Sequence, residues 1–273
     1  MGDPLGITPD LGTFVLLAGL LLLEGVRRVP PGALELRATG AGAFEPARVA
    51  PGLRLVSVLA PVNLTVLVAP APPAASAEDA ARQAARVHAT RLALGALRGL
   101  GALVLLGLLP GIPVAMLTTG LVGTVGMVGV VVLLSLLTTL VLAWGLAAIG
   151  LAPRQAWGRA LGSLSPFAAP RAAEVLLEAA LAGVAPRRAA QLLASPASFT
   201  RWLRPQLYDA LQSPPPDPEL AALVPPGDWL RQTLALPPGT GAGEPYCPRC
   251  AATYRPGVVR CADCSVALTL ATS

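Results

Sequence analysis

The sequence predicts a mainly α membrane protein with three transmembrane helices, a small cytosolic β element, a cytosolic helical region and a thiol-rich C-terminal unit. Three observations predict it. Residues Leu100 to Pro153 carry no charged side chain. A second apolar run covers Leu11 to Leu23. The 20 basic residues all lie outside these two runs. A helix rises about 1.5 Å per residue and a bilayer core is roughly 30 Å thick, so one crossing takes about 20 residues. The uncharged stretch is therefore long enough for two crossings and a turn.

Composition sets the outer bounds. The chain is 54% hydrophobic and only 13% charged, whereas soluble domains carry about 25% charged residues. Every basic residue is Arg; there is no Lys. That excludes a P-loop, a pyridoxal Schiff base and a Ser-Lys dyad, each of which needs a lysine amine. The net charge of +5 follows from topology rather than nucleic-acid binding, because cytoplasmic flanks of membrane helices accumulate Arg.

Residues 1–29 are read as an N-terminal transmembrane helix. Its apolar run is short, and Glu24 is expected at the interface. A cleaved signal peptide is the competing reading. The absence of positive charge before the run, and of an A-x-A site after it, argues against that. Nine Arg lie from Arg27 to Arg98 and eleven from Arg154 onward. With three spans, all of them share one side. The protein is then expected in the cell (inner) membrane with its N-terminus outside and its C-terminus cytoplasmic.

Residues 30–75 are read as a small cytosolic β region and linker. Leu34 to Arg37 alternates, while Leu53 to Leu59 and Leu64 to Val68 are β-branched or apolar between Gly and Pro, giving three or four strands. Asn63-Leu64-Thr65 matches a glycosylation sequon, which has no meaning on the cytosolic side.

Residues 76–153 are read as an amphipathic helix leading into a transmembrane hairpin. Ser76 is the expected N-cap with Asp79 at N3, opening a helix to about Leu97. Arg82, Arg86, Arg91 and Arg98 lie along it, on a solvated face or against anionic headgroups. His88 is read as an ordinary helix residue. The second span runs from about Leu100 to Leu117 and is kinked by Pro110 and Pro113. Thr118 to Gly123 turns, and the third span runs from about Thr124 to Leu151. Gly107, Gly111, Gly120, Gly123, Gly126 and Gly129 are placed to let helix backbones approach. Packing within the hairpin is preferred to homodimerisation. Trp157 suits an interfacial position better than Trp144.

Residues 154–236 are read as a cytosolic helical region. Helices are expected over Ala172 to Ala182, with Glu174 and Glu178 exposed, and from Pro186 through Leu193. Phe199, Trp202, Leu203, Leu207, Tyr208 and Leu211 recur at helical spacing across Pro205 and are read as core packing between short helices. A last short helix is expected over Gly227 to Leu236. Residues 237–245 are a linker, in which Gly239 to Gly243 lacks both the spacing and the βαβ setting of a dinucleotide loop.

The tail, residues 246–273, carries the chemistry. Cys247-Pro248-Arg249-Cys250 is followed, ten residues later, by Cys261-Ala262-Asp263-Cys264. Each C-x-x-C puts two sulfurs on one tight knuckle, and two knuckles together make a tetrahedral S₄ site suited to Zn²⁺. Ala252 to Arg255 and Val258 to Arg260 are the expected strands of a hairpin about a type II turn at Pro256-Gly257. So small a unit has no core, so the metal would supply most of its folding free energy. Cys247, Pro248, Cys250, Tyr254, Cys261, Asp263, Cys264 and Leu268 match the pattern C-P-x-C-G-x-x-Y … C-x-D-C-G-x-x-L. The segment thus resembles bacterial zinc ribbons, and departs from them at Ala251 and Ser265, where Gly is usual. The resemblance implies a structural zinc module and no activity. Rubredoxin-like iron is the alternative for a Cys₄ site, but the ten-residue spacer is ribbon-like.

These features lead to a non-enzymatic reading: a membrane anchor or scaffold presenting the helical region and the ribbon to a cytosolic or membrane protein partner. One His, no Lys, no G-x-S-x-G and no H-E-x-x-H support it. The other partners weighed are the lipid bilayer itself and a second copy of the chain. An oligomeric transport or channel component is one alternative, although the two later spans lack ionisable groups. A nucleic-acid-binding ribbon is the other; Arg249, Arg255 and Arg260 with Tyr246 and Tyr254 are a thin basis for it.

Overall fold

The fold is taken from a computed structural model, which describes residues 9–39, 43–55, 64–72, 74, 76–212 and 243–270. Helix α1 (Pro9–Glu24) is followed by five short strands, β1 (Val26–Val29), β2 (Leu34–Ala38), β3 (Phe44–Arg48), β4 (Gly52–Leu55) and β5 (Thr65–Val68). Strands β1 and β4 pair antiparallel, and β3-β2-β5 form a second antiparallel sheet. Strands β2 and β5 fall where alternation and β-branching placed them, and β4 overlaps the start of the Leu53 to Leu59 run. The rest of that run, residues 56–59, lies outside the described residues. Strands β1 and β3 were not expected: β1 holds Arg27-Arg28, and β3 contains Pro46. Proline is tolerated there because β3 is an edge strand, whose outer N–H groups need no partner.

Helix α2 (Ala77–Leu106) opens as expected, with the Ser76 Oγ accepting the Asp79 N–H at 3.1 Å. It does not stop near Leu97. It runs on through a π turn at Gly107–Gly111 into α3 (Ile112–Ala148). Pro110 has no N–H to give the carbonyl four residues back. The turn widens instead, and the Ile112 N–H reaches the Gly107 carbonyl. The chain is helical through Thr118, and two helices then meet at a kink. Gly120 alone leaves helical geometry, at φ 65° and ψ −149°, a conformation open mainly to glycine.

The expectation of three membrane-spanning helices is therefore corrected. Among the described residues one helical run, Ala77–Ala148, is long and apolar enough to cross a membrane. The apolar part of α1, Gly12–Leu22, is shorter than a crossing requires. The second and third expected spans both lie within that run, as two helices that meet at the Gly120 kink.

The two halves of the run pack on each other antiparallel. A Cβ on Gly107 would stand 2.6 Å from Val131 Cγ2, one on Gly111 3.2 Å from the Met127 sulfur, and one on Gly145 3.0 Å from Ala93 Cβ. These glycines are close-approach positions. Gly126 and Gly129, read as their equivalents, face open space. On the packed side Ser135, Thr138 and Thr139 are buried, each hydroxyl donating to the carbonyl four residues back. The outer side and the bend expose Val114, Leu117, Leu121, Val122, Leu133 and Leu140.

Helix α4 (Pro153–Ala160) leads to α5 (Ala172–Ala180), α6 (Pro186–Leu193) and α7 (Pro196–Gln212). The main core joins Leu36, Val66, Leu97, Leu142, Leu146, Leu176, Leu177 and Leu203 across β2, β5, α2, α3, α5 and α7. A smaller cluster seats Leu21 of α1 against Val104, Leu108 and Val131. Helix α7 continues through Pro205, and its stripe of Phe199, Leu203 and Leu207 is buried, as core packing requires. The expected helix over Gly227 to Leu236 lies outside the described residues.

Candidate metal centre

The four cysteines are free, and their Sγ atoms all lie within 4.8 Å of one another. Two knuckles of the same design bring them together. In the first, the Cys247 N–H bonds the Ala252 carbonyl and the Ala251 N–H bonds the Cys247 carbonyl, both at 2.9 Å. In the second, Cys261 pairs with Val266 and Ser265 with Cys261, again at 2.9 Å. The Cys264 N–H also points at the Cys261 Sγ, at 3.3 Å. To close each loop the residue after the second cysteine must turn left-handed. Ala251 (φ 66°) and Ser265 (φ 56°) are the non-glycine residues with positive φ among the described residues. They are the two places where the chain departs from the glycine of the ribbon pattern.

The expected turn is present: Gly257 has φ 94°, and the Val258 N–H bonds the Arg255 carbonyl across Pro256-Gly257. The expected strand pairing is not. Residues 252–255 and 258–260 do not form a ladder with each other. Thr253 bridges to Tyr246, and Arg260 to Ala267, so each arm pairs across its own knuckle. The ends are joined by β6 (Pro245–Tyr246) and β7 (Thr269–Leu270). A C-x-x-C loop turns its flanks back on themselves, so the nearest partner is the local one.

The donor set fits a divalent ion. Around a tetrahedral ion with Zn–S near 2.3 Å, sulfurs stand about 3.8 Å apart; Cys250 and Cys261 Sγ are 3.7 Å apart. The four sulfurs come from all four sequence-predicted ligands, Cys247, Cys250, Cys261 and Cys264. The thiols differ in acidity. Tyr254 takes the Ala262 N–H on its hydroxyl and donates to the Cys261 Sγ at 3.1 Å, which draws Cys261 down to about 6. Burial pushes Cys250 up to about 12. Tyr254, which the pattern supplied as a match, is a hydrogen-bond donor to one of the four cysteines.

The centre is also fastened to the helical body. Arg204 Nε on α7 donates to the Pro248 carbonyl at 3.0 Å, and Arg249 pairs with Asp209 at 2.8 Å. No spacing in the sequence signalled Arg204; it sits beside the buried Leu203, in a stretch that reads as core.

A second concentration of charge lies away from the thiols. Glu174, expected to be exposed, is fully buried, and Arg171 grips its Oε2 with Nε at 2.9 Å and Nη2 at 2.8 Å. Helix α5 is enclosed by α2, α3 and β5, so it has no solvent face at that position. Glu178 is half-buried, and burial raises its carboxyl above the ordinary range despite Arg27 and Arg171 nearby. It lines a cleft of about 500 Å³ with Arg27, Arg28, Leu67 and Gly183. His88 is an exposed residue of α2.

No protein-family model, curated protein or solved structure matches the chain.

Proposed function

We propose that the protein is a non-enzymatic, membrane-anchored scaffold that holds a helical region and a structural zinc ribbon, as one unit, for a protein partner on the cytoplasmic side. The observation that carries this reading is the four-thiol cluster. Four protein sulfurs fill a tetrahedral ion's coordination, leaving no open position for a substrate or activated water, which catalytic zinc requires. Zinc is favoured over iron by the ten-residue spacer and the local, ribbon-like pairing of each knuckle.

Membrane attachment is supported by the exposed apolar side chains of the Ala77–Ala148 run, where Leu121 is 80% and Val122 85% exposed. Contiguous apolar surface of this kind is rare on soluble monomers. The return of the run at Gly120, which brings Ala93 beside Gly145, supports a topology in which the Arg-bearing segments before and after it share a side. Thiolate ligands suit the reducing cytoplasm.

The test uses the full chain. It should remain in the membrane pellet after an alkaline carbonate wash and carry about one zinc per chain after detergent purification. A cross-linker placed at an exposed position such as Arg201 should trap one defined protein, and the trap should be lost in Cys264→Ser. Recovery in the soluble fraction, absence of stoichiometric zinc, or turnover of peptide or ester substrates by the purified protein would each refute the reading.

A further inference from the structure

Helix α7 grips the first knuckle at two adjacent residues. Arg204 and Asp209, five apart on α7, bond Pro248 and Arg249 respectively. The two contacts differ in character. Asp209 and Arg249 are partly exposed, and such a pair contributes little. Arg204 is only 5% exposed, and its Nε bond ends on a carbonyl inside the Cys247–Cys250 loop. A buried guanidinium has to be matched by acceptors or negative charge.

We propose that Arg204 is a positioning residue of the metal centre: it fixes the Cys247–Cys250 knuckle in ligating geometry through the Pro248 carbonyl and sets a buried positive charge beside a site that becomes anionic when metal binds. Four thiolates around a divalent cation carry a net charge of −2, and taking that charge into a protein is costly without a counter-charge. Burial lowers the pKa of Arg204, while Tyr246, Cys247 and Cys250 act in the opposite direction, which places those groups within its field. Groups of this kind orient ligands and tune metal affinity. The helical body and the ribbon are then coupled: metal occupancy and the seating of the first knuckle on α7 stabilise each other.

The inference rests on the four-thiol reading of the site. It is tested on the full chain by competition for zinc against a chromophoric chelator, with the visible spectrum of the cobalt-substituted protein as a second readout. Arg204→Gln should weaken zinc binding roughly tenfold or more and perturb the cobalt–thiolate bands, with helix content by circular dichroism unchanged. Arg201→Gln, an exposed position on the same helix, should bind zinc like the parent chain. Native zinc affinity and cobalt bands in a folded Arg204→Gln protein would overturn the proposal. Should Arg204→Gln fail to fold, Arg204→Lys decides. It keeps the charge but not the rigid Nε donor, and should weaken zinc binding by less; affinity equal to the parent's would overturn the proposal. A parent chain that binds neither zinc nor cobalt would instead refute the four-thiol reading.

Discussion

Replacing Ser265 with glycine should tighten the metal centre. Ser265 turns left-handed at φ 56°, a conformation that costs an L-residue roughly 1–2 kcal/mol. Its side chain is exposed, so removing it sacrifices no packing. Glycine gives back part of the gain, because its unfolded chain is freer by about 0.4–1 kcal/mol. The net stabilisation of the folded knuckle is about 0.5–1 kcal/mol. A four-thiol unit of this size is expected to fold with its metal, so that gain should show as affinity. One decade corresponds to about 1.4 kcal/mol, so Ser265→Gly should bind zinc roughly two- to fivefold more tightly. The assay is chelator competition with the full chain at fixed pH and salt. Gly257→Ala, at φ 94° and with open space around it, should shift affinity the other way. Ala251→Gly should gain less than Ser265→Gly, since Ala251 is half-buried and its methyl is lost. Weaker or unchanged zinc binding by a folded Ser265→Gly protein would refute the strain reasoning.

Other expectations follow from the helical body. Gly107→Ala should destabilise the antiparallel packing of the apolar run by about 1–3 kcal/mol, because a stiff β-branched neighbour cannot yield. Gly129→Ala should be neutral or slightly stabilising; thermal melts in detergent compare the two. Arg171→Ala should cost about 3–5 kcal/mol by leaving Glu174 buried without its counter-ion, measured by denaturant titration. Glu178 has a raised carboxyl pKa, so its unfolded form ionises first as pH rises past 4.5. Its contribution to stability is complete below that pH and is lost as pH rises through the folded value. Glu178→Gln should therefore raise the melting temperature at pH 7, leave it unchanged below pH 4.5, and flatten the profile between; an unaltered profile would contradict the burial argument.

Much of the local chemistry was legible in the sequence because it is local. The Ser76 cap, the Pro256-Gly257 turn and the four ligands each depend on residues within a few positions. The two residues that replace the usual glycines are the ones that turn left-handed. Helix α6 was legible from Pro186 onward, and the stripe on α7 from its period. Glu174 was misread because its neighbours on α5 suggest a solvated face; only the enclosure of α5 by α2, α3 and β5 makes it a buried ion. Strand β3 escaped notice because Pro46 reads as a break, and it is tolerated only at an edge that topology defines.

The sequence alone determined that this chain carries a long uncharged helical run, small sheets and a four-thiol centre, since charge content, side-chain alternation and ligand spacing act over short range. The tertiary structure decided what those parts do to one another. The uncharged residues form two helices that meet at a kink at Gly120 and fold back on each other, because glycine can adopt the positive φ that the reversal needs. Gly107 and Gly145 became contact points while Gly129 did not, because only packing chooses a face. The four-cysteine unit is bound to α7 through Arg204, a contact across 44 residues of sequence that no local pattern encodes.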